Sequence, residues 1–124
     1  MKVLVVDDEP LARERLAAML GELADTVVVG EASNGRDALD AVARLQPDLV
    51  VLDVRMPRLD GIAATARIKT RWPAVRVVVH SLAVERRDDA LAAGADAFVP
   101  KGATPDELLA ALRGPDGVGL RSPA

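Results

Sequence analysis

Residues 48–53 read Asp48-Leu49-Val50-Val51-Leu52-Asp53, a run of four apolar residues between two aspartates. The run does not alternate apolar and polar residues, which is typical of a strand buried on both faces of a parallel sheet. Two similar runs, 2–6 and 75–79, also end at polar residues, and each is followed by apolar residues at helical spacing. The sequence therefore predicts a parallel sheet covered by helices on both sides.

Five strand–helix units follow one another along the chain, and right-handed crossovers join them into a single α/β domain of residues 1–113. The predicted strands are 2–6, 26–31, 49–52, 75–79 and 97–99, and the predicted helices are 10–23, 35–45, 62–71, 85–93 and 105–113. Thr104, with Glu107 three residues later, predicts a capping box at the start of the last helix. Residues 114–124, rich in Gly and Pro, are predicted to be a flexible tail or the start of a linker.

The composition predicts a soluble domain with a mild negative charge. Half of the 124 residues are hydrophobic, and 16 basic against 19 acidic residues give a formal net charge of −3. This balance argues against direct nucleic-acid binding, and the absence of cysteine excludes disulfides and thiolate chemistry. Acids at positions 7 and 8 interrupt the apolar start where a signal peptide would continue. No apolar run approaches the roughly 18 residues of a membrane span, so a cytoplasmic protein with no membrane contact is expected.

Polar side chains follow four of the five predicted strands. They are Asp7 and Asp8 after the first strand, Asp53 after the third, Ser81 after the fourth and Lys101 after the fifth. Functional groups of an open parallel sheet gather at the carboxyl ends of its strands. Three neighbouring carboxylates repel one another, and Mg²⁺, which prefers hard oxygen ligands and phosphate oxygens, removes that repulsion. Each residue alone could be a helix cap or an ordinary loop residue, so it is their coincidence that predicts a Mg²⁺-assisted phosphoryl site.

Five short motifs occur in a fixed order along the chain. They are Val5-Val6-Asp7-Asp8-Glu9-Pro10, Asp48-Leu49-Val50-Val51-Leu52-Asp53, Met56-Pro57-Arg58-Leu59-Asp60-Gly61, Val77-Val78-Val79-His80-Ser81 and the segment 93–101. In this order and spacing they resemble the receiver domain of bacterial two-component response regulators. The resemblance implies a flavodoxin-like (βα)5 three-layer fold, with a parallel five-stranded sheet of order 2-1-3-4-5.

The resemblance also implies a role for each acid and for the lysine. Asp53 matches the phosphoacceptor, whose carboxylate attacks phosphorus to give an acyl phosphate. Asp8 matches the direct Mg²⁺ ligand and Asp7 its partner, while Asp53 itself and the backbone carbonyl of Arg55 complete the ligand set. Lys101 would pair with the phosphoryl oxygens, so that catalysis is mostly placement and charge neutralisation. The chain would then be no enzyme toward a separate substrate, but would assist its own phosphorylation and dephosphorylation.

A conformational switch is part of the same resemblance. Ser81 matches the hydroxyl that is drawn toward the phosphoryl group, and Phe98 matches the aromatic that turns inward with it, although a plain core role for Phe98 stays open. The output face would be formed by the fourth helix, the fifth strand and the fifth helix, roughly 84–93 and 98–113. This face would bind a partner or form a homodimer once phosphorylation shifts the population. The implied upstream partner is a sensor histidine kinase, and the effector domain or protein partner is left open.

Three positions add to the family pattern or depart from it. Gly102 follows the lysine where much of the family has proline in a cis bond, a variant shared with receivers that carry helix-turn-helix effectors. The chain is accordingly either a stand-alone receiver or part of a longer DNA-binding regulator. Arg55 is interpreted either as a solvated side chain or as a residue that slows or steers the access of water to the acyl phosphate. His80 is interpreted as structural or as part of the output face, on the opposite side of its strand from Ser81.

Two other classes of protein serve as alternatives. A receiver-fold interaction module that acts without phosphorylation would be expected to lack an acid, the hydroxyl or the lysine, whereas this chain keeps them all. A metal-dependent phosphatase or phosphotransferase acting on a free substrate would carry a second acid at position 55, where this chain has arginine, or a P-loop motif, which is absent. The sequence therefore favours a phosphoacceptor over both alternatives.

Overall fold

A computed structural model describes residues 1–114, in which strands and helices alternate. The strands are β1 Lys2–Val6, β2 Val27–Ala32, β3 Leu49–Leu52, β4 Arg76–Ser81 and β5 Ala97–Pro100. The helices are α1 Pro10–Gly21, α2 Gly35–Leu45, α3 Gly61–Arg71, α4 Arg87–Ala92 and α5 Pro105–Arg113, with a 3-10 turn at Val84–Arg86. All strand pairs are parallel, in the order β2-β1-β3-β4-β5, which confirms the predicted flavodoxin-like architecture. Residues 115–124, nearly all of the predicted tail or linker, lie outside the described residues.

Helices cover both faces of the sheet, and each face has its own apolar core. All four residues of β3 are buried, as its unbroken apolar run predicts. Val50 and Leu52 pack with residues of α2, α3 and α4, whereas Leu49 and Val51 pack with residues of α1 and α5. Full burial of a side chain of this size contributes about 1.5–3 kcal/mol. The central strand is thus firmly held from both sides, and it gives the next residue, Asp53, a rigid base.

The register of the ladders brings the carboxyl ends of the strands to one edge of the sheet. Val6 lies beside Leu52 in the β1–β3 ladder, and Leu52 lies beside Val79 in the β3–β4 ladder. Ser81 pairs with Pro100 at the end of the β4–β5 ladder. The residues that follow these strands therefore emerge next to one another, as the sequence predicts.

Three helices differ from their predicted extent, α3 only in that it begins at Gly61, one residue earlier. α1 ends at Gly21 instead of residue 23, because the N–H of Leu23 bonds to the carbonyl three residues back, at Leu20, and tightens the last turn. The predicted helix 85–93 is divided into the 3-10 turn and α4. Across Arg87–Ala92, Ala90 alone is buried, so tertiary packing does little to extend this helix. No helix within residues 1–114 is both long enough and apolar enough to cross a membrane.

Side-chain caps fix the starts of the helices at the carboxyl edge of the sheet. The capping oxygens belong to Glu9 for α1, Asn34 for α2, Asp60 for α3 and Thr104 for α5. At α5, Thr104 Oγ1 accepts a hydrogen bond from the Glu107 N–H at 3.2 Å. The carboxylate of Glu107 accepts a hydrogen bond from the Thr104 hydroxyl at 3.2 Å and none from the Thr104 N–H. The predicted capping box is therefore formed in one of its two halves.

Candidate functional site

One lysine joins two of the three strand-end aspartates. Asp7 and Asp53 follow β1 and β3, which are neighbours in the sheet, and both residues are buried. Lys101 follows β5, and its Nζ lies 2.7 Å from Asp7 Oδ2 and 2.8 Å from Asp53 Oδ2. Two buried carboxylates thus share one ammonium group at the carboxyl edge of the sheet, and the paired charges offset the cost of burial.

Backbone N–H groups hold the same two carboxylates from the other side. The N–H of Glu9 donates to Asp7 Oδ1 at 2.9 Å, and the N–H of Val54 donates to Asp53 Oδ1 at 2.7 Å. Such bonds to a carboxylate are charge-assisted and fix the direction of its oxygens. Asp7 and Asp53 each use one oxygen for the backbone and the other for Lys101, so the protein itself fixes the orientation of both side chains.

Asp8 completes an acidic cluster with Asp7 and Asp53. Each of the three residues offers one carboxylate oxygen, and these atoms lie within 4.8 Å of one another. Asp8 is exposed, so its carboxylate is open to solvent. The carbonyl of Arg55 accepts no backbone hydrogen bond from residues 1–114 and is available as a further oxygen donor. A set of hard oxygen donors with several negative charges fits Mg²⁺.

Electrostatic interactions keep the lysine of the site charged and the nearby histidine neutral. Burial alone would lower the pKa of Lys101, but its hydrogen bonds to Asp53 and Asp7, together with the negative charges of these two carboxylates, outweigh burial and raise the pKa above its ordinary value. The pKa of His80 is lowered, first because burial disfavours the charged imidazolium and second because the Lys101 ammonium repels it. The carboxylates of Asp53 and Asp7 oppose this effect without reversing it. His80 is therefore neutral at pH 7.

The two predicted switch residues lie near the acidic cluster, and within residues 1–114 neither forms a hydrogen bond to it. Ser81 is 1% exposed, and its Oγ accepts a hydrogen bond from the N–H of Ala83 at 3.0 Å. Phe98 is half-buried, lies beside Val79 in the β4–β5 ladder and packs against the core under α2, α3 and α4. Ser81 ends β4, the strand next to β3, and Phe98 lies in β5, one strand further from the acidic cluster. Their switching roles stay predictions.

The side chain of Arg55 lies at the rim of the site. Its guanidinium is 75% exposed and pairs with the carboxylate of Glu85 in the 3-10 turn before α4. An exposed pair of this kind is worth about 0–1 kcal/mol. It joins the loop after β3 to the loop after β4 in a solvated contact. The Lys101–Gly102 peptide bond is trans, as are all peptide bonds within residues 1–114.

Two residues that shape the site are not found by sequence reasoning. Arg13 donates from Nη1 to the carbonyl of Asp7 at 2.7 Å. Gly61 begins α3 so close to Asp53 that a Cβ built on the glycine would lie 1.8 Å from the Asp53 carbonyl oxygen. In the sequence Arg13 is one of two arginines on the predicted helix 10–23 and gives no signal. The pair Asp60-Gly61 does give a turn signal, but that signal does not tell which backbone the glycine approaches.

The profile of the response regulator receiver domain family matches residues 3–113. The match covers the sheet except for Lys2, all five helices and the cluster of acids with its lysine. The chain belongs to this family, and it is a receiver domain of two-component signalling.

Parts of larger proteins are similar to this chain. It is 41% identical over 114 residues to the positive alginate biosynthesis regulatory protein of Pseudomonas aeruginosa, over 91% of this chain and 46% of that protein. It is 42% identical over 104 residues to a protein-glutamate methylesterase/protein-glutamine glutaminase of Alkalilimnicola ehrlichii, over 82% of this chain and 27% of that protein. The response regulator domain of Thermotoga maritima CheB has a TM-score of 0.78 and 31% identity, over 90% and 87% of the two chains. The chain thus spans less than half the length of these two curated relatives.

Proposed function

We propose that the protein relays a signal by accepting a phosphoryl group from a sensor histidine kinase on Asp53. The observation that carries the proposal is the pairing of Lys101 with Asp53 at 2.8 Å and with Asp7 at 2.7 Å. A carboxylate nucleophile thereby lies beside an ammonium group that can bind phosphoryl oxygens, and beside an acidic cluster suited to Mg²⁺. Because the phosphoryl group would come from such a kinase, the proposal includes a cytoplasmic location for the protein.

The transfer forms one bond to phosphorus and breaks another. A carboxylate oxygen of Asp53 bonds to the phosphorus of the donor phosphohistidine while the P–N bond breaks, and the imidazole leaves with the bonding electron pair and takes up a proton. Lys101 neutralises part of the charge on the phosphoryl oxygens. Asp7, Asp8, Asp53 and the carbonyl of Arg55 would hold Mg²⁺, which supplies positive charge to the same oxygens when bound. The protein thus acts on its own side chain and not on a separate substrate.

Phosphorylation would redirect the hydroxyl of Ser81. This hydroxyl now accepts the N–H of Ala83, whereas a phosphoryl group on Asp53 would offer it a charge-assisted acceptor. A move of Ser81 releases the segment that leads into α4, a helix held by one buried residue, Ala90, among Arg87–Ala92. Elements with so little buried surface rearrange at small energetic cost. The face of α4, β5 and α5, with Phe98 repacked, would then bind an effector, a partner or a second copy.

Intact mass after incubation with acetyl phosphate tests the acceptor. We expect one added phosphoryl group in the wild type, dependent on Mg²⁺ and abolished by EDTA, and no adduct in Asp53→Ala. Asp40→Asn is the matched control, because Asp40 is an exposed acid of α2 outside the cluster, and its adduct should equal that of the wild type. Circular dichroism establishes that each variant is folded.

Either of two results would change the proposal. A folded wild type that forms no adduct, even with a faster phosphodonor such as phosphoramidate, would refute phosphorylation and favour an interaction module that acts without it. An adduct that persists in Asp53→Ala would refute Asp53 as the acceptor.

Sedimentation with and without beryllofluoride, a phosphoryl mimic, tests the output face. Equal sedimentation in both conditions would exclude a phosphorylation-driven dimer and leave effector or partner binding as the output.

A further inference from the structure

Arg13 contacts the backbone of the acidic cluster from α1. Its Nη1 donates to the carbonyl oxygen of Asp7 at 2.7 Å, and its Nε donates to Glu31 Oε1 at 3.2 Å. The Arg13 side chain is only 20% exposed, and its bond to the Asp7 carbonyl is partly shielded from water, whereas its bond to the more exposed Glu31 lies at the surface. The bond to Glu31 fixes the plane of the guanidinium against the end of β2. The guanidinium, oriented in this way, donates to the carbonyl of Asp7 and holds it in place.

The carbonyl of Asp7 belongs to the peptide group that joins Asp7 to Asp8. Because a peptide group is planar, holding its oxygen sets the backbone direction of both residues. Asp7 is tied on its other side as well, since its N–H bonds to the carbonyl of Ala32 at 3.1 Å. The carboxylate of Asp8, by contrast, makes no hydrogen bond and no ion pair with other residues of 1–114. Its direction therefore depends on the backbone that Arg13 holds.

We propose that Arg13 is a positioning residue that aims the carboxylate of Asp8 at the divalent cation of the cluster. The inference rests on the proposed Mg²⁺-dependent phosphorylation. Net charge does not explain the role, because Glu31 already balances the guanidinium. The geometry of the guanidinium does explain the role, because this planar group donates in two fixed directions at once. The ammonium group of a lysine does not reproduce that geometry. Arg13 acts through Asp7 and Asp8 and does not contact the phosphoryl group.

An NMR amide titration with MgCl2 alone tests the role without any turnover. The loss of a group that orients a metal ligand typically weakens metal binding by about 10- to 100-fold. We expect a loss in this range for Arg13→Ala, and most of that loss for Arg13→Lys, which keeps the charge. Arg15→Ala is the matched control, because Arg15 lies exposed on the same helix and forms no ion pair within residues 1–114, and it should bind Mg²⁺ as the wild type does.

The Mg²⁺ dependence of phosphorylation separates positioning from general destabilisation. We expect Arg13→Ala to raise the Mg²⁺ concentration for half-maximal adduct formation by the same factor, while the rate at saturating Mg²⁺ stays near that of the wild type. A variant that is merely less stable would lose rate at every Mg²⁺ concentration, and that result would overturn the role. If Arg13→Ala does not fold, Arg13→Lys decides the question, because it retains the alkyl stem and the charge.

The possible failures of the two proposals are distinguishable. Folded Arg13 variants with wild-type affinity for Mg²⁺ would overturn the positioning role and leave the phosphoacceptor intact. A wild type that does not bind Mg²⁺ at all would overturn both.

Discussion

Replacing Gly61 with alanine should destabilise the domain and, at the same time, displace Asp53, the proposed phosphoacceptor. Gly61 is the first residue of α3, and its N–H donates to the carbonyl of Val54 at 2.8 Å. A Cβ built on Gly61 lies 1.8 Å from the carbonyl oxygen of Asp53 and 3.0 Å from Val54 Cα. Real Cβ contacts essentially never fall below 3.0 Å, so the helix and the Asp53 peptide must separate by about 1.2 Å.

The expected magnitude follows from three contributions. Forcing a methyl group into a packed site costs about 1–3 kcal/mol. The separation also breaks the hydrogen bond from Gly61 to Val54, worth about 1 kcal/mol, while alanine returns up to about 1 kcal/mol of helix propensity. The free energy of unfolding should therefore fall by about 1–3 kcal/mol. A shift of about 1 Å in a reacting group can slow its reaction about 100-fold, so the folded variant should also be phosphorylated far more slowly.

Stability and rate are measured separately. Urea unfolding followed by the fluorescence of Trp72, the sole tryptophan, which is partly buried after α3, gives the stability. Intact mass against time gives the rate. Gly21→Ala is the matched control, because Gly21 ends α1 and a Cβ there meets nothing within 4 Å. If Gly61→Ala equals Gly21→Ala in both stability and rate, the contact with the Asp53 carbonyl does not constrain the domain and the reasoning is wrong.

Three further predictions concern the side chains around Asp53. Lys101→Ala leaves Asp7 and Asp53 without their shared cation, and should lower the free energy of unfolding by about 1–3 kcal/mol, less than for a fully buried pair because water reaches the site. Mg²⁺ should restore part of this loss in thermal melts, and melts that do not respond to Mg²⁺ would contradict the prediction. The lowered pKa of His80 makes the wild type lose stability as the pH falls below about 6.5, because the unfolded chain then binds a proton that the folded chain does not. His80→Gln should lose less stability between about pH 7.5 and about pH 5.5 in urea titrations, and identical pH profiles would refute the assignment. If Arg55 shields the proposed acyl phosphate from water, Arg55→Ala should shorten the lifetime of that phosphate after removal of the donor; equal lifetimes would leave Arg55 as the solvated side chain that its exposed pair with Glu85 indicates.

The sheet could be predicted because burial on both faces leaves an unbroken apolar run, as in β3. The extent of the fourth helix could not. Residues 85–93 have ordinary helix formers, but the length of a helix also depends on how many of its residues reach the core. In α4 only Ala90 does so across Arg87–Ala92, and the preceding turn is tightened by the bond from the N–H of Arg86 to the carbonyl of Ala83.

The residue types of the site could be predicted because each one lies at the end of a strand or just after it, and the carboxyl ends of parallel strands meet at one edge. The pairing of Lys101 with two carboxylates at once could not, since it depends on side-chain reach across two strands. The contacts of Arg13 and Gly61 depend on the rotation of one helix and on the separation of another from the sheet. Neither quantity is encoded in apolar periodicity or in motif spacing.

The bonds of Lys101 also set the order in which the site can come into being. They span 94 residues to Asp7 and 48 residues to Asp53. On the ribosome the three acids emerge well before this lysine, and they have no counter-charge from it until β5 joins β4. Contacts so distant along the chain close late, because the intervening loop entropy is lost first. A chain that ends before residue 101 therefore lacks the ammonium group that pairs with Asp7 and Asp53, and this pairing forms only after the last strand has joined the sheet.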